Sequence, residues 1–225
     1  MRVVHSLDDL LHACESLLVL DCASSRVHVG LLRKGNQAAW AHRDEPAGSA
    51  LFACVDEVTA KFGMPLPAVR AFAFNDGPGS ILGIRTAAVA IRTWQAVHPR
   101  PAYRYSGLLA LALAERIRGR TPPFSAIADA RRDTWHQVKV SDDSEPKLLR
   151  VAPADLTPPC VAPEHFRTWA ALPPGTELIP SIPRDFLEQT RNLALWHDAP
   201  DPDAFLHEDP SYKTWQPGVH RAPSP

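Results

Sequence analysis

Asn75-Asp76-Gly77-Pro78-Gly79-Ser80-Ile81-Leu82-Gly83-Ile84-Arg85 is the stretch whose reading decides the fold of this chain. An apolar run, Val69 to Phe74, enters it with the length and composition of a strand, and a long apolar segment leaves it, from Ser80 to about Val97. The glycines admit backbone angles closed to other residues, Pro78 fixes φ within the turn, and Ser80 is a good cap for the helix that follows. A glycine-rich turn from strand to helix can present backbone N–H groups to an anion. The lysine of a P-loop and the full dinucleotide spacing are both missing, so the loop taken bare reads as a tight turn ahead of a phosphate cradle.

Upstream, Ser6 caps a short helix whose Leu7, Leu10, Leu11 and Cys14 recur with helical period. Leu17 to Asp21 is a continuous apolar run, as expected of a strand covered on both faces. Arg26 to Leu32 alternates as the second strand of a hairpin, and Gln37 to His42 supplies a third. A helix from about Ser49 to Phe62 carries Leu51, Phe52, Val55, Val58 and Phe62 on one face and stops at Gly63. Downstream, Tyr103 to Tyr105 reads as a strand and Gly107 to Arg118 as a helix.

The composition shifts near residue 120, with six prolines before it and 17 of the 23 after it. Pro122-Pro123 is the expected lobe boundary. Phe124 to Asp129 and Thr134 to Val140 form a hairpin to which Lys147 to Val151 adds a strand, and a short helix is expected near 185–195. No internal repeat is visible. The β-β-β-α-β-α-β-α order of the first part matches one lobe of the actin-like, sugar-kinase-like architecture, an α/β fold of two ribonuclease-H-like lobes. The expected division is an N-terminal extension (1–16), a first lobe (17–120), a smaller, proline-rich second lobe (121–216) and a frayed tail (217–225).

A net charge of −1 on 225 residues gives no footprint for nucleic acid or anionic membrane. The scattered Cys14, Cys22, Cys54 and Cys160 form no CxxC pair, which argues against a zinc site and a disulfide framework and fits a reducing compartment. No apolar run approaches the ~18 residues of a membrane span, and Met1 to Ser16 has no export-signal anatomy. The expectation is a cytoplasmic protein.

Gly77-Pro78-Gly79-Ser80-x-x-Gly83-x-Arg85 resembles the GPGS-F-T-G-[LV]-R signature of the TsaB (YeaZ) family, with Ile81-Leu82 standing in place of Phe-Thr. Asp129-Ala130-Arg131-Arg132-Asp133-Thr134-Trp135 lies where that family reads D-A-R-x-x-E-V-Y, and Glu208 to Lys213 where it reads E-P-x-Y-[LV]-R. Asp21-Cys22-Ala23-Ser24 is similar to its D-T-[ST]-T. Three motifs in order over nearly the whole chain are more specific than any one alone. The resemblance implies a non-catalytic partner of the TsaD-type enzyme that places threonylcarbamoyl on the adenosine beside the anticodon of many tRNAs. It implies packing of the two first-lobe helices on the partner's equivalent pair, or on a second copy of the chain as a homodimer. Carried onto this sequence, the interface falls on Phe52, Val55, Ile81, Ile84, Arg85, Ala88 and Ile91, with tRNA touched only indirectly. No cofactor of its own is implied, with nucleotide entering only at the interface of a complex.

Each feature also has a plain structural reading. Asp21, Ser24 and Ser25 are ordinary hairpin-turn residues. Two apolar stripes on the helix from Ser80, one through Ile81, Ile84, Ala88 and Ile91 and one through Ala87, Ala90, Trp94 and Val97, require cover on two sides. The sheet supplies one, and the preceding helix or a partner the other. Asp129 and Arg131 are expected to form a salt bridge holding their hairpin. No two of the ten histidines are four apart, so no helical face offers an H-x-x-x-H metal pair, and there is no G-x-S-x-G elbow. The expectation is a subunit without chemistry of its own. The alternative is a small-molecule kinase or ATPase that uses Asp21 and the Gly77-Pro78-Gly79 loop.

Overall fold

The computed structural model describes residues 4–204. The motif at 208–213 and the tail at 217–225 lie outside the described residues. In chain order the elements are β1 (Val4–His5), α1 (Leu7–Cys14), β2 (Ser16–Asp21), β3 (Val27–Arg33), β4 (Gln37–Arg43), α2 (Ala47–Lys61), β5 (Ala71–Asn75), α3 (Ile81–Val97), β6 (Ala102–Tyr105) and α4 (Gly107–Ile117). Then follow β7 (Phe124–Asp129), β8 (Trp135–Val140), β9 (Leu148–Val151), β10 (Cys160–Pro163), β11 (Glu177–Ile179), α5 (Pro183–Gln189) and β12 (Trp196–Asp198).

Two sheets carry the fold. The first has the order β1-β12-β6-β5-β2-β3-β4 and the second β11-β10-β7-β8-β9. Each contains the same pattern, a three-stranded antiparallel meander (β2-β3-β4 or β7-β8-β9) whose first strand pairs in parallel with a fourth, itself parallel to a fifth. The sequence shows no repeat, yet the topology is repeated. The halves differ in their connections. Between β4 and β6 the chain builds α2 and α3, whereas between β9 and β11 it builds only a turn of 3₁₀ helix at Pro153–Asp155 and a loop. Pro153, Pro158, Pro159, Pro173 and Pro174 lie in those connections, where each removes a helical donor.

Side-chain parity along the strands sorts the core. Leu17 and Val19 of β2 join Ala71 and Ala73 of β5 on one face of the first sheet, with α1, α4, α5 and the Phe124, Ala126, Val138 and Val140 side chains of the second sheet. Leu18 and Leu20 join Phe72 and Phe74 on the other face, under α2 and α3. The second sheet turns Ile127 and Trp135 outward, where Leu156, Ala170 and Leu172 cover them. β3 is buried on both faces, so the alternation expected of it is absent.

Two boundaries are corrected. Residues 4–14 are part of the first lobe rather than an extension: β1 pairs with β12, Ser6 and Asp9 form a reciprocal capping box, and Leu7, Leu10 and Leu11 enter the core. Arg191 fastens this segment, bonding Asp8 and Glu188 and donating to Asn36 in the β3–β4 turn. The division at 121 does separate the sheets, but β12 crosses back to pair with β6. Pairing between strands some 190 residues apart has no local sequence signal. The late helix, α5, is shorter than the expected 185–195.

Candidate functional site

Asp21 ends β2 with its carboxylate buried at 4% exposure. Its Oδ2 accepts bonds from Tyr105 Oη (2.8 Å) and Asn75 Nδ2 (2.9 Å), and its Oδ1 accepts the Ala23 N–H (3.2 Å). Asn75 Oδ1 in turn accepts the Gly77 and Gly107 N–H groups, at 2.9 and 3.0 Å. The carboxylate thus joins the C-terminal ends of β2, β5 and β6 to the start of α4. Burial, with Asp21 beside it, holds the Tyr105 phenol well above its ordinary pKa. This geometry makes Asp21 a structural hub. Asn75 and Tyr105 are the partners that sequence reasoning passed over, although polar residues ending apolar parallel strands are a visible signal.

The glycine loop packs downward onto the first hairpin turn. Cβ atoms on Gly79 and Gly83 would collide with the carbonyl oxygens of Ala23 and Cys22, and Gly79 has φ +156°. Ser80 N donates to Ala23 O (2.7 Å), Asp76 N to Tyr105 O (3.0 Å), and Gly83 N to the Ser80 hydroxyl that caps α3 (3.3 Å). Asp76 also pairs with Arg104. With the Gly77 N–H on Asn75, most of the loop's donors are committed inside the chain. The loop is a packing joint between β5, α3 and the β2–β3 turn, with Pro78 carried in its bend.

The second motif stands across a cleft from the first. Asp129 forms no salt bridge with Arg131. Its carboxylate accepts backbone N–H groups of Arg131 (2.6 Å), Trp169 (2.7 Å) and Ala170 (2.9 Å), drawing the loop after β10 onto the β7–β8 turn. Arg131, Arg132 and Asp133 all have positive φ, +63°, +49° and +53°. Such angles cost of order 1–2 kcal/mol per residue, and Thr134 and Arg150 hold the turn by bonding the Ala130 and Arg131 carbonyls. The Arg131 guanidinium lies 4.2 Å from the Trp169 ring centre. Ser25 N reaches His165 O (2.9 Å) between the lobes, and Phe166 packs against both main cores. The cleft left between the lobes measures about 390 Å³ and is lined by Ser25, Gly79, Ser80, Ile81, Leu82, Arg85, Arg131, Arg167 and Trp169 among others.

The residues expected at a partner interface divide into two groups. Val55, Ile84, Ala88 and Ile91 are fully buried between the first sheet, α2 and α3, and form core rather than interface. Phe52 (48% exposed) and Arg85 face solvent, and Ile81 is half-buried. The solvent side of α3 is instead a mixed stripe of Leu82 (75% exposed), Arg85, Thr86, Val89 (51%), Arg92 and Thr93, with Phe52 and Ala53 of α2 alongside. Phe52 meets Trp94 edge-to-face at 6.4 Å, which ties the two helices together.

All four cysteines are free thiols. Among the described residues no three His, Cys, Asp or Glu side chains gather as a metal site, and no helix is long and apolar enough to cross a membrane. His207 and His220 lie outside the described residues.

Two sheets of one strand order, joined through a shared helical layer and facing each other across a cleft, define the actin-like, sugar-kinase-like fold, with two ribonuclease-H-like lobes. YeaZ from Pseudomonas aeruginosa shares it, with a TM-score of 0.58 and 23% identity over 78% of this chain and 90% of that one. A second solved structure, described as an uncharacterized protein with similarity to peptidase YEAZ from Pseudomonas aeruginosa, gives a TM-score of 0.57 and 23% identity over 78% of this chain and 89% of that one. The resemblance to YeaZ read from the motifs is borne out in the fold. The family model for TsaD, tRNA N6-adenosine threonylcarbamoyltransferase, matches residues 48–146, which run from α2 to the end of the β8–β9 turn. No curated protein sequence matches the chain.

Proposed function

We propose that this chain acts in threonylcarbamoyl modification of tRNA, as a non-catalytic partner that docks on a TsaD-type transferase through the outer face of α2 and α3. The observation that carries this reading is the solvent-facing stripe of Phe52, Leu82 and Val89. Large apolar side chains grouped on one surface of a folded protein mark contact sites, and these lie on the two helices that the family resemblance assigns to pairing. The match to the TsaD model and the shared fold with YeaZ support the process. The same face would close a homodimer in the absence of the transferase.

The alternative, a small-molecule kinase or ATPase built on Asp21 and the glycine loop, is the weaker reading. Asp21 already accepts from Tyr105, Asn75 and Ala23, and the Asp76, Gly77, Ser80 and Gly83 N–H groups of the loop are bonded within the chain.

The test is co-purification with a TsaD-type subunit followed by light scattering, using Val89→Asp and Leu82→Asp. Neither side chain is needed by the core, so both variants should fold with stabilities within ~0.5 kcal/mol of the parent. Each should weaken a one-to-one complex by tenfold or more, about 1.4 kcal/mol, as expected for a charge placed in an apolar contact. A complex of unchanged affinity in both variants would refute the assigned face. Ile84→Asp is unsuitable as an interface probe because Ile84 is 1% exposed, and a buried carboxylate there would unfold the chain.

A further inference from the structure

We infer that the outer face of the second sheet holds a binding cavity for a small ammonium compound with an apolar body, and that Glu164 reads its positive charge. The repeated topology frames this site. In the first lobe, α2 and α3 cover the outer face of the sheet, over Leu18, Leu20, Phe72 and Phe74. In the second lobe the corresponding connections, β9–β10 and β10–β11, hold no α-helix, and only a 3₁₀ turn and loop residues lie over Ile127 and Trp135. That cover is incomplete. A cavity of about 430 Å³ remains between the loop after β10 and the strands β7, β10 and β11, a volume that suits a small molecule.

The lining has an apolar floor and an acidic end. Ile127, Ala162 and Leu178 come from three neighbouring strands, and Phe166 and Leu172 of the loop face them. Ile127 is fully buried and Leu178 is 54% exposed, so the floor runs from the interior of the lobe to open solvent. Asp129 and Glu164 stand at the strand ends beside Trp135. Asp129 is already occupied by three backbone N–H groups. Glu164 differs: it is half-buried, and its carboxylate makes no hydrogen bond or ion pair among the described residues. Arg26 acts on it only at a distance, being closed on Asp44 by two bonds. The lining contains no arginine or lysine, and its one histidine, His165, is exposed. A carboxylate half-withdrawn from water without a counter-ion gains from a cation that also donates hydrogen bonds. The Thr168 hydroxyl, likewise without a partner among the described residues, adds a polar group at the same wall. Phe166 and the indole of Trp135 supply aromatic surface for a ring or an ammonium group. The sign of the charge separates this cavity from the cleft, which Arg131 and Arg167 line on the other side of the same loop. The inference does not depend on the partner role, whose face lies on α2 and α3.

The experiment is an NMR titration of the full chain, following the backbone amides and the Trp135 indole N–H. Three probes share one ring and differ in charge: phenethylamine, 2-phenylethanol and 3-phenylpropionate. Saturable shifts centred on Ile127, Trp135, Ala162 and Glu164 are expected with phenethylamine, at an affinity about tenfold above that of the alcohol, and none with the carboxylate. Glu164→Gln should bring the amine down to the level of the alcohol, and Leu178→Ala should weaken both probes about threefold. Glu145→Gln, an exposed charge before β9, should change neither. Glu164 makes no side-chain bond in the fold and Leu178 is more than half exposed, so both variants should fold, which the same spectra verify. Absence of saturation with phenethylamine, equal affinities for the amine and the alcohol, or an amine affinity untouched by Glu164→Gln would each overturn the inference. Shifts gathered around Arg85 and Arg131 would place the ligand in the cleft and overturn it as well.

Discussion

Replacing Asp21 by alanine separates a structural hub from a catalytic carboxylate. The substitution leaves the Tyr105 hydroxyl and the Asn75 amide without their acceptor, in a site where Asp21 is 4% and Asn75 2% exposed. Each orphaned buried donor costs about 1–3 kcal/mol, and relief from burying the carboxylate offsets part of the total. A loss of about 3–4 kcal/mol is therefore expected. Tyr105→Phe removes one bond and leaves the carboxylate with two partners, for about 1–1.5 kcal/mol. Because both changes act on one bond, their costs in the double variant should fall short of the sum by about 1 kcal/mol. Equilibrium unfolding in urea, followed by tryptophan fluorescence, reads these values directly. With a slope of roughly 2.5 kcal/mol/M for a chain of this size, Asp21→Ala should lower the midpoint by about 1.2–1.6 M. A midpoint within about 0.2 M of the parent would refute the hub and return Asp21 to the list of chemical groups.

Two further tests follow from the same packing. Gly83→Ala forces a Cβ into the Cys22 carbonyl and should cost about 2–3 kcal/mol, whereas Gly48→Ala, in open space on α2, should stabilise by about 0.5–1 kcal/mol; thermal unfolding compares the pair. His28 is buried against His42, and burial chiefly, helped by His42 and Arg26 against the pull of Asp21, lowers its pKa to about 4. The unfolded chain then binds more protons than the folded one between pH 6.5 and 4. Stability present at neutral pH is lost as pH falls through that window, by about 2 kcal/mol at pH 5 and up to about 3 at pH 4. Urea midpoints at pH 7.5 and 5 should differ for the parent and converge in His28→Gln; an unchanged difference in the variant would clear His28 of the effect.

The elements of the first lobe were legible because each depends on local signals. Ser6, Ser80 and Ser106 cap α1, α3 and α4, and the apolar runs at 17–21 and 69–74 are of strand length. The faces of α3 were not legible. The middle of both apolar stripes (Ile84, Ala87, Ala88, Ala90 and Ile91) is core, but Ile81 is half-buried and Val97 exposed, while the solvent side mixes Leu82 and Val89 with Thr86, Thr93 and two arginines. Periodicity marks what is covered without naming the cover, so Val55, Ile84, Ala88 and Ile91 were assigned to an interface they do not reach. The second lobe is legible as far as β9, where the meander ends. β10, β11 and the return of β12 sit among prolines, and long-range pairing places them. The cleft was equally hidden: Arg85 and Arg131 stand out in the motifs, but Arg167 and Trp169 lie in an irregular loop that Asp129 draws in.

The pairing of β1 with β12 makes the order of synthesis matter. A strand from residues 4–5 and one from 196–198 share the edge of the first sheet, and Trp196 fills the layer against Tyr105, with ring centres 4.7 Å apart. A ribosome that has delivered the first 120 residues has made the strands, helices and hub of the first lobe, but not the segment that closes its edge. Until residue 198 emerges, β6 presents unpaired N–H and C=O groups and Tyr105 lacks its cover. The two lobes therefore mature together. A fragment ending at 121 would be a half-built molecule with an adhesive edge rather than a smaller domain.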